Sequence, residues 1–192
     1  LLAIGGDLSV KRLLDAYNQG IFPWYEASQP VLWYSPDPRM VLFPEDLKIS
    51  KSMKQVLHKD LLNVTFNENF EAVIKNCAAI NRKGQRGTWI TPAIQKVFLE
   101  LHEAGIVVSV EVWKDKRLMG GLYGLYLEDK KIFCGESMFS KISNASKFGF
   151  IKMVEKLKED QVKLIDCQVY TEHLESLGAA EIPRKEFLEY FK

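Results

Sequence analysis

Three runs rich in β-branched and aromatic residues follow one another at residues 107–113, 121–127 and 132–138, with only short polar turns at Asp115 and at residues 128–131 between them. Connections that short join neighbours in an antiparallel meander, because a parallel crossover needs a dozen residues or more. The remaining elements must be arranged around that sheet. Segments with helical periodicity flank it at residues 51–58, 70–77 and 92–105, the last opened by Pro92, a residue suited to a first helical turn. A fourth runs from 144 to 158, where Phe148, Ile151, Val154 and Leu157 mark one apolar face and Asn144 offers a cap. Shorter strand-like runs at 40–43, 63–66, 163–169 and 179–182, and short helices at 172–177 and 183–191, complete the pattern. The expected class is α/β (α+β) with a central mixed, largely antiparallel sheet.

The start of the chain differs in character. Five of the seven prolines lie between Pro23 and Pro44, and six of the twenty-two aromatic residues between Phe22 and Phe43. Each proline removes a backbone donor and restrains the residue before it, so this stretch cannot be a regular helix. It reads as an aromatic loop packed on another part of the molecule. A helix capped around Asp7-Leu8-Ser9 and ended at Gly20 precedes it. Residues 1–37 are therefore expected to form a small N-terminal domain, and residues 38–192 the main one.

With 47% hydrophobic and 27% charged residues, the chain can bury a core, which excludes wholesale disorder. No apolar run reaches the roughly 20 residues needed to span a bilayer, and no basic-then-apolar leader is present. The chain opens on Leu1 rather than Met, as a piece of a longer coding sequence would. Cys77, Cys134 and Cys167 are too few and too far apart for a disulfide framework, and an odd, unpaired count points to the reducing cytoplasm. His58, His102 and His173 are equally scattered, so neither a metal site nor a cofactor is expected. The formal net charge is +1, but residues 48–96 carry nine Lys/Arg against three Asp/Glu. The excess is densest at Lys51 and Lys54 and again at Arg82, Lys83 and Arg86. Such a patch suits a phosphate backbone, although a solvated helix face followed by a basic loop has the same composition.

Two strand-like runs contain polar residues where a buried strand should have none. Glu136 lies inside 133–138, and Asp166 and Gln168 lie inside 164–169. A period of two puts Asp166 and Gln168 on one strand face. Burying charge is costly unless it is paired or used, so these are the candidate chemical residues, with a half-exposed sheet as the plain alternative. A nucleophile elbow, a Walker-type phosphate loop and a dinucleotide fingerprint are all absent from the sequence. A nucleophilic pair of Cys134 with His102 or His173 has no local signature behind it.

Several longer motifs resemble one known family. Gly5-Gly6-Asp7-Leu8-Ser9, Gly20-Ile21-Phe22-Pro23-Trp24, Trp33-Tyr34-Ser35-Pro36-Asp37-Pro38-Arg39, Gly87-Thr88-Trp89-Ile90-Thr91, Phe133-Cys134-Gly135-Glu136-Ser137-Met138, Asn144-Ala145-Ser146-Lys147 and Leu164-Ile165-Asp166-Cys167-Gln168-Val169 occur in order over essentially the whole chain. They resemble the leucyl/phenylalanyl-tRNA–protein transferases. The resemblance implies a GNAT-like acyltransferase fold for residues 38–192. It implies transfer of Leu, Phe or Met from aminoacyl-tRNA to proteins with N-terminal Lys or Arg, feeding the bacterial N-degron route, by a cytoplasmic monomer. It places Asp166 and Gln168 at the reacting centre, with Gln168 aligning the attacking amine and Asp166 orienting it or accepting its proton. It lines an aminoacyl slot with Leu122, Phe133, Gly135, Glu136, Met138, Phe150, Met153 and Ile165, most of which would otherwise read as ordinary core. Trp24 and Trp89 fall near the terminal adenosine, and Lys51, Lys54, Arg82, Lys83 and Arg86 along the tRNA backbone. An acetyl-CoA-dependent GNAT N-acetyltransferase and a non-catalytic tRNA-binding module remain as alternatives. The phosphate loop of coenzyme A acetyltransferases is closest to Arg117-Leu118-Met119-Gly120-Gly121-Leu122, where the last small residue is missing.

Overall fold

The computed structural model describes residues 1–59, 61–80 and 88–192. The chain opens with β1 (Ala3–Ile4), α1 (Val10–Tyr17), β2 (Phe22–Pro23) and β3 (Leu32–Tyr34). The Ser9 side chain accepts the Arg12 N–H and starts α1. Gly20, at φ +69, turns the chain out of it with a backbone that a side chain would strain. The proline-rich stretch is not loop throughout. β3 pairs antiparallel with both β1 and β2, and Pro23 sits opposite Trp33 on an edge strand, where a missing N–H is tolerated.

The larger body follows as β4 (Arg39–Leu42), α2 (Lys51–His58), β5 (Asn63–Phe66), α3 (Phe70–Ala79), α4 (Pro92–Glu103), β6 (Val107–Lys114), β7 (Arg117–Leu127), β8 (Ile132–Ser140), α5 (Ala145–Glu159), β9 (Leu164–Gln168), α6 (Glu172–Glu175), β10 (Ala180–Ile182) and α7 (Arg184–Glu189). Among the described residues these strands make one mixed sheet, ordered β10-β4-β9-β8-β7-β6-β5. The expected meander is its β6-β7-β8 section. Every pairing is antiparallel except β8 with β9, which α5 connects as a crossover. Asn144 does not cap α5 with its side chain. It takes a left-handed conformation at φ 68, and the Ser140 hydroxyl accepts the Ser146 N–H instead.

The sheet is covered on both faces. Tyr123, Leu125 and Cys134 pack towards α3 and α4, while Leu122, Phe133 and Ile165 pack towards α5. Leu13, Tyr17, Phe22 and Trp33 share the first of these cores with Phe98 and Phe187, so the N-terminal elements close over the main sheet. No helix among the described residues is long and apolar enough to cross a membrane.

The two features that shape the site are irregularities. The parallel pairing of β8 with β9 ends at Cys134 opposite Asp166, and β8 runs on to Ser140 without that partner. Between β7 and β8 the register shifts: Tyr123 faces Ser137 but Gly124 faces Gly135, so Glu136 is the extra residue of a β-bulge. Gly124 permits the close approach, since a Cβ there would lie 2.2 Å from the Cys134 carbonyl oxygen. A second shift, between β4 and β9, pairs Met40 with Gln168 and Val41 with Asp166, leaving Cys167 as the extra residue.

Candidate active site

Where β8 parts from β9, a cavity of about 360 Å³ opens between the strands. Leu122, Phe133, Gly135, Met138, Phe150 and Ile165 form its apolar wall, and Glu136 and Gln168 its polar one. Phe22, Pro23, Trp24 and Trp89 line it from the side of the N-terminal elements and the start of α4, and Val169, Thr171, His173 and Leu174 from the segment after β9. Trp24 is 43% exposed and packs edge-on against Tyr34, with ring centroids 6.0 Å apart.

The first bulge explains Glu136. Cys134 faces the α3–α4 core, and Met138, four residues on, faces the α5 core. Strict alternation would put both on one face. The inserted residue makes the switch, and its carboxylate meets α1: Tyr17 Oη donates to Glu136 Oε1 at 2.7 Å, and Gln168 Nε2 donates to the same oxygen at 2.9 Å. Burial pushes the Glu136 carboxyl up to about 8, and the neighbouring Asp166 charge acts in the same direction. The bonds from Tyr17 and Gln168 and the Arg39 charge pull the other way. Burial, followed by the Glu136 charge, holds the Tyr17 phenol well above its ordinary range, so it remains a donor.

The second irregularity corrects the expectation for β9. Asp166 and Gln168 do not share the cavity wall. Asp166 is fully buried behind it, where its two oxygens accept from Arg39 Nε at 2.7 Å and Nη2 at 2.6 Å. A carboxylate so enclosed cannot receive a proton directly from a molecule in the cavity. A further bond fixes the neighbour: the Gln168 N–H donates to Asp166 Oδ1 at 2.9 Å, and Gln168 stands at φ 66. A left-handed backbone at a non-glycine residue is strain of the kind that collects at functional sites. The Arg39 guanidinium is itself held between two rings, its carbon 4.8 Å from the Phe22 centroid and 4.5 Å from that of Phe187.

Other expected residues fall elsewhere. Met153 does not line the cavity; one helical turn beyond Phe150, it is buried in the core beneath. Lys51 and Lys54 are exposed on α2 and are not part of the cavity wall. Arg82, Lys83 and Arg86 lie outside the described residues. The segment closest to a coenzyme A phosphate loop, Arg117 to Leu122, lies within strand β7. Tyr17 and Arg39, which hold the Glu136 and Asp166 carboxylates, carried no expectation as site residues. A tyrosine on the buried stripe of α1 beside Leu13 was itself a signal, because a buried phenol needs a partner.

One consequence is thermodynamic. The folded-state pKa of Glu136 is raised, so the stability linked to its proton is complete below about pH 4.5 and is lost as pH rises through about 8. A Glu136→Gln variant has no such loss. Its melting temperature relative to the parent chain is expected to improve by about 8–16 °C between pH 5 and pH 9, read by differential scanning calorimetry. Equal offsets at both pH values contradict the burial argument.

Known proteins match this sequence over nearly the whole chain. The family model described as leucyl/phenylalanyl-tRNA protein transferase matches residues 41–192, and that of the N-terminal domain of the same family matches residues 6–37. A leucyl/phenylalanyl-tRNA–protein transferase of Christiangramia forsetii is 66% identical over 190 residues, covering 99% of this chain and 90% of its own. Its counterpart from Flavobacterium johnsoniae is 56% identical over 192 residues, covering 100% and 90%. That from Azotobacter vinelandii is 54% identical over 190 residues, covering 99% and 83%. Among solved structures, a conserved protein of unknown function from Bacteroides thetaiotaomicron superposes with a TM-score of 0.51 at 10% identity, over 81% of this chain and 55% of its own, a likeness of fold alone.

Proposed function

This chain belongs to the leucyl/phenylalanyl-tRNA protein transferase family, and on that premise we propose that the cavity between β8 and β9 is where an aminoacyl ester and a protein N-terminus meet. The chain is an aminoacyltransferase acting on aminoacyl-tRNA and protein. The observation that carries the site assignment is the joining, in one cavity, of an apolar slot, two tryptophans and the Gln168–Glu136 pair.

The donor side chain, Leu, Phe or Met, enters the slot formed by Leu122, Phe133, Gly135, Met138, Phe150 and Ile165. Met138 has the flexibility to accept linear and aromatic chains alike. Trp24 and Trp89 offer faces to the terminal adenosine, where stacking contributes roughly 1–3 kcal/mol per base. Lys51 and Lys54 on α2 meet the tRNA backbone.

The acceptor is the α-amino group of a protein beginning with Lys or Arg. Its pKa of about 7.7–8.0 leaves roughly a tenth of it neutral at pH 7, a penalty near 1 kcal/mol, against more than 4 kcal/mol for a lysine side chain at about 10.4. Holding two reactants in register contributes roughly 7–11 kcal/mol, so orientation dominates the rate. Gln168 gives its amide N–H to Glu136, which turns its carbonyl oxygen to the attacking amine. Asp166 acts from behind by fixing Gln168. Residues 1–37 form a unit that closes the cavity over a GNAT-like body of residues 38–192. The protein works as a cytoplasmic monomer whose products enter the N-degron route.

The direct test is incubation with leucyl-tRNA and a peptide beginning with Lys or Arg, read by mass spectrometry. Addition of one leucine at the N-terminus is the expected result; an unchanged peptide with the charged tRNA intact rejects the assignment. The slot has its own prediction. Met138→Ala should change the Leu-to-Phe preference several-fold, since one or two methylenes in an apolar pocket are worth about 1–3 kcal/mol of discrimination. An unchanged ratio removes Met138 from the slot.

A further inference from the structure

Alignment of the amine leaves its proton without a destination. Gln168 cannot take it, since an amide is not a base at neutral pH, and Asp166 is enclosed by Arg39. Glu136 is the carboxylate that the β7–β8 bulge turns into the cavity. Tyr17 and Gln168 both donate to its Oε1, and neither engages Oε2. The amide that aligns the amine is therefore bonded to the carboxylate beside it.

We propose that Glu136 is the proton acceptor of the transfer reaction and that Tyr17, from the N-terminal unit, is the positioning residue that holds it. The proposal rests on the transferase reading given above. The α-ammonium of the acceptor passes one proton to Glu136. The nitrogen lone pair then forms the C–N bond to the ester carbonyl carbon. As the tetrahedral intermediate collapses, the C–O bond to the terminal ribose breaks, and the carboxylic acid of Glu136 protonates the departing oxygen. The surplus proton on the new amide nitrogen returns to Glu136 and passes to water, so one proton is released for each peptide bond made.

The surroundings suit that exchange. Tyr17 faces Glu136 from α1, Arg39 from β4 and Asp166 from β9, with Cys134 on its own strand. Cys167 and His173 line the same cavity. Burial holds both the Cys134 and the Cys167 thiol protonated. Burial draws His173 below its ordinary value, and it hydrogen-bonds to neither Gln168 nor Glu136. Glu136 stands near 8, in the range where the acceptor amine exchanges its own proton.

The experiment is the pH dependence of kcat between pH 6 and 9, at saturating leucyl-tRNA and an Arg-starting peptide, for the parent chain, Tyr17→Phe and Glu136→Gln. The parent chain is expected to lose rate on the acid side with a midpoint near pH 8. Glu136→Gln should keep its affinity for leucyl-tRNA and lose about 10²–10⁴-fold in kcat, the usual contribution of a positioned acid–base group. Tyr17→Phe removes a bond that favours the ionised carboxylate. It should move the acid limb upward by about 0.5–1 pH unit and preserve the rate above the limb within several-fold. A purely structural tyrosine would lower the rate at every pH and leave the limb in place. Transfer by Glu136→Gln within threefold of the parent chain, or an unmoved limb in Tyr17→Phe, overturns the proposal. If Glu136→Gln does not fold, the limb of Tyr17→Phe decides alone. A parent chain that transfers nothing overturns the transferase reading instead, which separates the two failures.

Discussion

Arg39→Ala should lower stability by about 3–5 kcal/mol, because it strands a buried carboxylate. Arg39 and Asp166 are 1% and 0% exposed, and the guanidinium meets both carboxylate oxygens in a fork at 2.7 and 2.6 Å. At roughly 2–4 °C per kcal/mol for a chain of this size, the melting temperature drops by about 6–20 °C, measured by circular dichroism. The aromatic sandwich adds to the effect, since Phe22 from the N-terminal unit and Phe187 from α7 both lose the cation between them. Arg39→Lys keeps the charge without the fork or the flat stacking surface, so it recovers only part of the loss. The double variant Arg39→Met with Asp166→Leu should melt above either single change, because an apolar pair leaves no unmatched charge. It should nevertheless be inactive, since Gln168 then has no acceptor for its backbone N–H. A single variant within 1 kcal/mol of the parent chain would show that the pair is solvated in ways its burial excludes.

That ion pair also marks where a sequence stops being readable. The meander is legible because its runs are long, β-rich and separated by turns too short for any other connection. Asp166, Gln168 and Glu136 are legible as candidates because each interrupts an apolar strand. Their division of labour is not, because two one-residue register shifts decide it. Alternation along β9 predicts that Asp166 and Gln168 act side by side; the bulge at Cys167 puts one behind the wall and the other on it. Nothing local marks a bulge beforehand, since it depends on the partner strand. Arg39 and Tyr17 are hidden for a different reason, with partners 127 and 119 residues away. Met153, which the family resemblance puts in the aminoacyl slot, is buried in the core one helical turn from Phe150 and is not part of the cavity wall.

The second large effect concerns Gln168. Gln168→Gly should reduce transfer by about 10²–10³-fold, the usual consequence of removing one preorganised hydrogen-bonding group from a reacting centre. It should leave the melting temperature within a few degrees. The two expectations separate because of the backbone. At φ 66 a residue with a side chain carries a cost of about 1–2 kcal/mol that glycine does not. Against this, glycine loses about 0.5–1 kcal/mol through its freer unfolded chain, and the bond from Nε2 to Glu136 disappears. These contributions nearly cancel, so stability is almost unchanged while the amide is gone. Gln168→Asn sharpens the test. Asparagine tolerates the left-handed region, so the backbone keeps its course and its bond to Asp166. The amide, however, is one methylene short of Glu136, and transfer should fall nearly as far as in the glycine variant. If Asn restores full activity, the backbone bend rather than the reach of the amide is what matters. If Gly keeps activity within several-fold, the acceptor amine is aligned by some other group, and the strain at this position has no catalytic purpose.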